Sequence, residues 1–122
     1  MYDKILLVDD NADLLQITQM ILKGHGYQTV LATSAKEALE QIELFQPQVI
    51  LMDICLCDDD GEAVCQRIKT NVQTSGIRII LMSGHEKPND AATLADDFLA
   101  KPFDYTELIH KVEKQVALIH AA

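Results

Sequence analysis

Five short apolar runs divide the chain, and polar stretches with a helical period lie between them. The runs occupy residues 5–8, 29–32, 49–52, 79–82 and 98–100. Three of them are hydrophobic throughout rather than alternating, which is typical of strands that are covered on both faces. We therefore expect five strands that alternate with helices, as in βαβ units built around a parallel sheet with helices on both faces.

The stretches between the runs carry helix start and stop signals. The first stretch has a 3.6-residue apolar period formed by Leu14, Leu15, Thr18, Ile21 and Leu22. Gly24 and Gly26 are expected to end this helix. Ser34 begins a capping box, and Asp104 opens the last helix in the same way. Between residues 87 and 97 there is room only for a short helix of about two or three turns.

The charge of the chain excludes several classes of function. Lys and Arg number 10 against 19 Asp and Glu, so the net charge is −9. Such a domain repels phosphate backbones and anionic lipids, so we expect no direct binding to nucleic acid or to a membrane surface. No apolar run approaches the roughly 20 residues of a membrane-spanning helix, and no secretory signal begins the sequence.

The cysteines and methionines suggest packing rather than ligation. Three cysteines are an odd number and form no disulfide framework, which favours a reducing, cytoplasmic location. We expect small thiols, buried or half-exposed, and methionines that fill the core. The residues concerned are Cys55, Cys57, Cys65, Met20, Met52 and Met82.

Polar residues stand where four of the predicted strands end. Asp9 and Asp10 follow the first run, Asp53 the third, Ser83 the fourth and Lys101 the fifth. In an open parallel sheet, ligands bind beyond the carboxyl ends of the strands. We therefore expect three carboxylates, a hydroxyl and an ammonium group to meet at one edge of the sheet.

This set of groups favours phosphoryl chemistry. Clustered carboxylates repel one another unless a cation joins them, and Mg²⁺ suits a site with few carboxylates that also takes a phosphate oxygen. A lysine supplies a point charge for a phosphoryl group, and a carboxylate can itself be the nucleophile. The pattern indicates phosphoryl transfer onto an aspartate, driven by positioning and charge neutralisation.

Four motifs in order give the chain a family resemblance. They are LVDDN at 7–11, LMD at 51–53 followed by DG at 60–61, MSG at 82–84 and FLAKPF at 98–103. Over essentially its whole length the chain resembles the receiver domains of two-component response regulators, including the chemotaxis regulators. The resemblance implies a single domain over 1–122 with a flavodoxin-like sheet in the order 2-1-3-4-5.

The resemblance also implies the phosphoacceptor and its metal. Asp53 would accept a phosphoryl group from a histidine kinase or a histidine phosphotransfer protein. Asp10, Asp53 and the backbone carbonyl of Cys55 would hold Mg²⁺ or Mn²⁺, and Asp9 would act largely through bound water. The domain would assist only its own phosphorylation and dephosphorylation, so it is not expected to be an enzyme for another substrate.

Further roles follow from the same resemblance. Lys101 and Ser83 would bind the phosphoryl oxygens, together with the amides of Cys55 and Gly84. Phe98 stands at the aromatic switch position and would turn inward when Ser83 moves. The peptide bond between Lys101 and Pro102 would be cis, a state tolerated chiefly before proline.

The chain departs from the family pattern in two places. Leu56 and Cys57 replace the usual methionine and proline after the phosphoacceptor, and the stretch between Ser83 and Lys101 is about one helical turn shorter than usual. The shortening affects a surface that many receivers use to dimerise or to bind an output partner. In the family, the positions of Cys55 and His85 tune the lifetime of the phosphoryl group.

Three other functions are alternatives to a phosphorylation switch: a phosphatase, an FMN binder and a degenerate receiver. An aspartate-nucleophile phosphatase of the haloacid dehalogenase type needs a second Asp where Cys55 stands. An FMN binder needs a first loop rich in Ser, Thr and Gly, whereas residues 9–13 are acidic. A degenerate receiver that binds partners without phosphorylation stays open. The output is also open. It is either a partner that binds a stand-alone domain or a domain attached to this one, and dimerisation is one response to phosphorylation.

Overall fold

The computed structural model describes residues 3–56, 59–84 and 94–121. Its strands are β1 (Lys4–Val8), β2 (Gln28–Ala32), β3 (Val49–Asp53), β4 (Cys55–Leu56), β5 (Asp59–Asp60), β6 (Arg78–Ser83) and β7 (Asp97–Ala100). Its helices are α1 (Ala12–Gly24), α2 (Ala35–Phe45), α3 (Gly61–Thr70) and α4 (Tyr105–Ala121). His85 and most of the short helix predicted between residues 87 and 97 lie outside the described residues.

Five of the strands form one parallel sheet in the order β2-β1-β3-β6-β7. Because β4 and β5 pair only with each other, β6 and β7 are the fourth and fifth strands of this sheet. The predicted flavodoxin-like order is therefore confirmed, and each predicted apolar run lies within a strand. The small β4–β5 hairpin was not predicted.

The core consists of two apolar layers, one on each face of the sheet. Alternate residues of each strand point to opposite faces. Leu6, Ile50 and Leu81 pack beneath α2 and α3 in one cluster, and Leu7 and Leu51 pack beneath α1 and α4 in the other. Every residue of β3 is buried, as expected for a central strand covered on both faces. No helix in the described parts of the chain has the length and apolarity needed to cross a membrane.

The helix ends agree with the sequence signals. The Ser34 hydroxyl accepts a hydrogen bond from the Glu37 amide at 3.1 Å, and Asp104 Oδ1 accepts one from the Glu107 amide at 2.8 Å. The α1 helix ends at Gly24, and Gly26 takes a φ of 92° beyond it. Glycine adopts this left-handed conformation without the steric cost that a side chain adds, so the chain turns sharply into β2.

Two packing predictions were wrong. Met20 is 72% exposed because it lies on the face of α1 that points away from Leu15 and Leu22. The Cys55 side chain is exposed, whereas Cys65 is buried within α3 as expected. Cys55 belongs to the two-residue strand β4, which lies outside the main sheet, and it is the neighbouring Leu56 of this strand that is buried.

Candidate functional site

The register of the parallel strands brings the predicted acidic residues together. In the sheet, Val8 pairs with Met52 and Asp53 pairs with Met82, so β1, β3 and β6 end at the same edge. Asp9 and Asp10 follow β1 directly. One carboxylate oxygen from each of Asp9, Asp10 and Asp53 lies within 4.8 Å of the others.

Lys101 links two of these carboxylates. Its Nζ donates to Asp9 Oδ2 at 2.6 Å and to Asp53 Oδ2 at 2.8 Å. Asp9 is 1% exposed and Asp53 is 7% exposed, so both ion pairs are largely shielded from water. Burial lowers the pKa of Lys101, but the hydrogen bonds to Asp53 and Asp9 outweigh burial and raise this pKa above its ordinary value. Lys101 is therefore a charged ammonium group at neutral pH.

Backbone amides hold the second oxygen of each buried carboxylate. Asp53 Oδ1 accepts from the Cys55 amide at 3.1 Å, and Asp9 Oδ1 accepts from the Asn11 amide at 3.0 Å. The Asn11 side chain in turn accepts from the Leu14 amide and begins α1. Both carboxylates are thus fixed in orientation by the segments that follow their own strands.

The donor set fits a hard divalent cation. Among the described residues of this cluster there are three carboxylates and one ammonium group, which bonds two of them, so a surplus of negative charge remains. Oxygen ligands of this kind are those that Mg²⁺ and Mn²⁺ prefer. Asp10 is exposed, so the cluster is open to solvent on that side.

The other predicted site residues lie on, or just after, strands β6 and β7. Ser83 is buried at the end of β6, and its carbonyl accepts from the Lys101 amide at 2.8 Å. Gly84 follows it and is exposed. The Lys101–Pro102 peptide bond is cis. Phe98 is half-buried on β7, opposite Leu81, and packs with the cluster beneath α2 and α3.

Sequence reasoning gave no role to Gly61, although its DG motif was part of the resemblance. Gly61 is buried at the start of α3, and its amide donates to the Ile54 carbonyl at 2.7 Å. A side chain at this position would overlap the backbone of Asp53. The motif was the available signal, but only the fold shows what Gly61 contacts.

Comparisons with known proteins agree with this geometry. The family model described as response regulator receiver domain matches residues 5–113. The regulatory protein VanR of Enterococcus faecium is 34% identical over 95% of this chain and 51% of its own length. The DNA-binding response regulator MtrA of Mycobacterium tuberculosis is 28% identical over 95% of this chain and 51% of its own length.

A solved structure gives the same result for the fold. The response regulator receiver domain protein (CheY-like) from Methanospirillum hungatei has a TM-score of 0.90 and 26% identity, covering 99% of this chain and 98% of that one. The chain spans about half the length of the curated relatives VanR and MtrA. Because the family model matches nearly all of the sheet and its helices, the chain belongs to the response regulator receiver domain family of two-component systems.

Proposed function

We propose that this domain is a phosphorylation-activated switch in which Asp53 is the phosphoacceptor. The observation that carries the proposal is the bridge from Lys101 Nζ to Asp9 and Asp53, with the Asp10 carboxylate beside them. The donor of the phosphoryl group is a histidine kinase or a histidine phosphotransfer protein. The reaction depends on Mg²⁺ or Mn²⁺ at Asp9, Asp10, Asp53 and the backbone carbonyl of Cys55.

In the transfer, a carboxylate oxygen of Asp53 attacks the phosphorus of the phosphohistidine. A P–O bond forms, the P–N bond breaks, and the imidazole nitrogen keeps the electron pair of that bond. The Cys55 amide and the Lys101 ammonium group each hold one oxygen of Asp53, which orients the nucleophile before attack. A bound Mg²⁺ supplies charge neutralisation at the phosphoryl oxygens.

The chain's own groups then hold the product. Lys101 Nζ is 2.8 Å from Asp53 Oδ2, close enough to pair with a phosphoryl oxygen attached to that side chain. The Ser83 hydroxyl and the amides of Cys55 and Gly84 donate to the remaining oxygens. Phe98 turns inward as Ser83 moves, and these contacts favour the active surface over the inactive one.

The output is a change in the surface presented to a partner or to an attached domain. MtrA is a DNA-binding response regulator, and this chain spans about half of it. The net charge of −9 argues that any DNA binding would belong to a separate domain. We propose a cytoplasmic location and treat dimerisation on phosphorylation as one outcome to be measured.

The test is phosphorylation by a small donor, followed by intact mass measurement. The protein is incubated with Mg²⁺ and acetyl phosphate, alongside Asp53→Asn and a control variant, Asp59→Asn, which removes an exposed carboxylate from the nearby strand β5. We expect one added phosphoryl group on the wild type and on Asp59→Asn. We expect none on Asp53→Asn and none when Mg²⁺ is chelated.

The absence of a mass gain calls for a titration with beryllofluoride, which mimics a phosphoryl group without a donor reaction. Binding by the wild type and not by Asp53→Asn supports the proposal. Failure of both experiments favours the degenerate receiver, which acts by binding partners without phosphorylation.

A further inference from the structure

The first turn of α3 approaches the end of β3 at Gly61. The Gly61 amide donates to the Ile54 carbonyl at 2.7 Å. A Cβ on Gly61 would lie 2.2 Å from the Asp53 carbonyl oxygen and 2.8 Å from the Ile54 Cα. Real side-chain atoms do not approach backbone this closely, so α3 reaches β3 here only because Gly61 has no side chain.

This contact is connected to the Asp53 carboxylate through one peptide unit. The carbonyl of the Ile54–Cys55 peptide accepts from the Gly61 amide, and the N–H of the same peptide donates to Asp53 Oδ1 at 3.1 Å. The Ile54 amide donates to the Met82 carbonyl at 2.9 Å, which ties this segment to β6. The peptide unit beside the carboxylate is therefore held at both ends.

The β4–β5 hairpin brings Gly61 to this position. Cys55 pairs with Asp60, the residue immediately before Gly61. The Asp60 side chain accepts from the Glu62 amide at 2.9 Å and so begins α3. The two residues of the motif have separate tasks, because Asp60 starts the helix and Gly61 permits its contact with β3.

We infer that Gly61 is a positioning residue for Asp53, an inference that rests on the proposed function. Its amide and its missing side chain fix the peptide unit that directs Oδ1 of Asp53, while Oδ2 remains paired with Lys101. The carbonyl of Cys55, expected as a metal ligand, belongs to the next peptide unit. Gly61 therefore sets the geometry of both the nucleophile and the metal site.

The variant Gly61→Ala tests this role. The atoms nearest to the added methyl group are backbone atoms, so no side-chain rotation can relieve the overlap. Either the end of β3 or the start of α3 must shift. By analogy with the residues that orient metal ligands, we expect Mg²⁺ and beryllofluoride affinities to fall by roughly 10- to 100-fold.

The control is Gly76→Ala, which makes the same chemical change elsewhere. A Cβ on Gly76 meets no atom within 4 Å among the described residues. Mg²⁺ affinity is measured by calorimetry and beryllofluoride binding by ¹⁹F NMR. Both are measured at a temperature where circular dichroism shows each variant to be folded. The wild type and Gly76→Ala should bind alike.

The outcomes separate the inference from the proposed function. If the wild type binds neither Mg²⁺ nor beryllofluoride, the proposed function fails and the inference fails with it. If the wild type binds and Gly61→Ala binds equally well, only the positioning role is overturned, even if the variant unfolds at a lower temperature. Weaker binding by folded Gly61→Ala supports it.

If Gly61→Ala does not fold, amide hydrogen exchange in the wild type gives the answer. The shared peptide unit predicts that the amides of Gly61 and Cys55 both gain protection when Mg²⁺ and beryllofluoride bind. A gain at Cys55 with none at Gly61 would show that the carboxylate is ordered independently of α3, and would overturn the inference.

Discussion

The carboxyl ends and the amino ends of the strands in the main sheet each carry a largely buried group of charged residues. We call these two sides of the sheet the carboxyl edge and the amino edge. At the carboxyl edge, Asp53 pairs with Lys101. At the amino edge, Asp96 Oδ2 accepts from Lys69 Nζ at 3.0 Å and from the Ile79 amide at 2.8 Å. The side chains of Asp53 and Asp96 are 10% and 13% exposed. Burial alone therefore does not distinguish the two groups.

Charge balance does distinguish them. Among the described residues, the amino-edge group consists of one carboxylate, Asp96, and two cations, Lys69 and Arg78. Lys69 also donates to the Ile77 carbonyl, and Arg78 also donates to the Gln115 side chain. The carboxyl-edge group instead sets three carboxylates against one ammonium group. The carboxylate of the amino-edge group is therefore compensated by cations of the same group. The carboxyl edge keeps a negative surplus that a divalent cation can complete.

The largest expected effect comes from the same substitution at the two edges. Asp96→Asn leaves two cations without a carboxylate, so we expect the free energy of unfolding to fall by about 2–3 kcal/mol. Asp53→Asn should change it by less than about 1 kcal/mol, because relief of carboxylate repulsion offsets the lost ion pair with Lys101. Urea unfolding without divalent cations measures both. Equal losses at the two positions would contradict the comparison.

A smaller effect is expected for Lys101→Met. Without Mg²⁺, Asp9 and Asp53 lose their shared ammonium group, and we expect a loss of about 1–2 kcal/mol. Because removal of a cation leaves the carboxylate surplus larger, saturating Mg²⁺ should restore most of the stability. If Mg²⁺ raises the free energy of unfolding of Lys101→Met by less than it raises that of the wild type, the result would argue against a metal site at this edge.

The difference in the free energy of unfolding between the wild type and Lys101→Met should depend on pH in a definite direction. The pKa of Lys101 is raised in the folded protein because hydrogen bonds to Asp53 and Asp9 outweigh burial. Its contribution is therefore fully present below the unfolded lysine pKa of about 10.4 and is lost as pH rises through the folded value. Urea unfolding should give the same difference between wild type and Lys101→Met from pH 7 to about pH 9. If this difference between the two proteins disappeared near neutral pH, the result would contradict a raised pKa for Lys101.

The smallest effect concerns two thiols and leaves the fold intact. Burial, with Asp96 nearby, raises the pKa of Cys65 to about 11, whereas Cys55 is exposed beside the carboxyl edge. In a Cys57→Ser protein at pH 8, iodoacetamide should modify Cys55 at least roughly tenfold faster than Cys65. Peptide mass mapping over time gives the two rates, with urea-unfolded protein as the control. Equal rates in the folded protein would contradict the burial of Cys65.

Much of the fold and of the acidic cluster was predictable because both depend on local signals. Apolar runs mark the strands, and parallel strands place their carboxyl ends at one edge. Asp9, Asp53 and Lys101 each stand directly after such a run, so their meeting follows from the fold class. The sequence cannot specify that one ammonium group bonds both carboxylates, because that depends on side-chain geometry.

Other features depend on contacts that no local pattern reveals. Asp96 and Lys69 lie 27 positions apart, and Arg78 and Gln115 lie 37 apart. They stand at the amino edge, where strand ends do not mark a ligand site. The β4–β5 hairpin breaks the apolar pattern with acidic residues. Gly61 carries no chemistry of its own, so its contact with β3 appears only in the folded chain.

The most direct test of Asp53 as the phosphoacceptor identifies the phosphorylated residue chemically. After treatment with Mg²⁺ and acetyl phosphate, borohydride reduces an aspartyl phosphate to homoserine, and peptide mass mapping locates the product. We expect homoserine at position 53 and none at positions 9 or 10. Homoserine in place of another aspartate would contradict Asp53 as the phosphoacceptor. The absence of homoserine, together with a failure of beryllofluoride to bind, would contradict it as well.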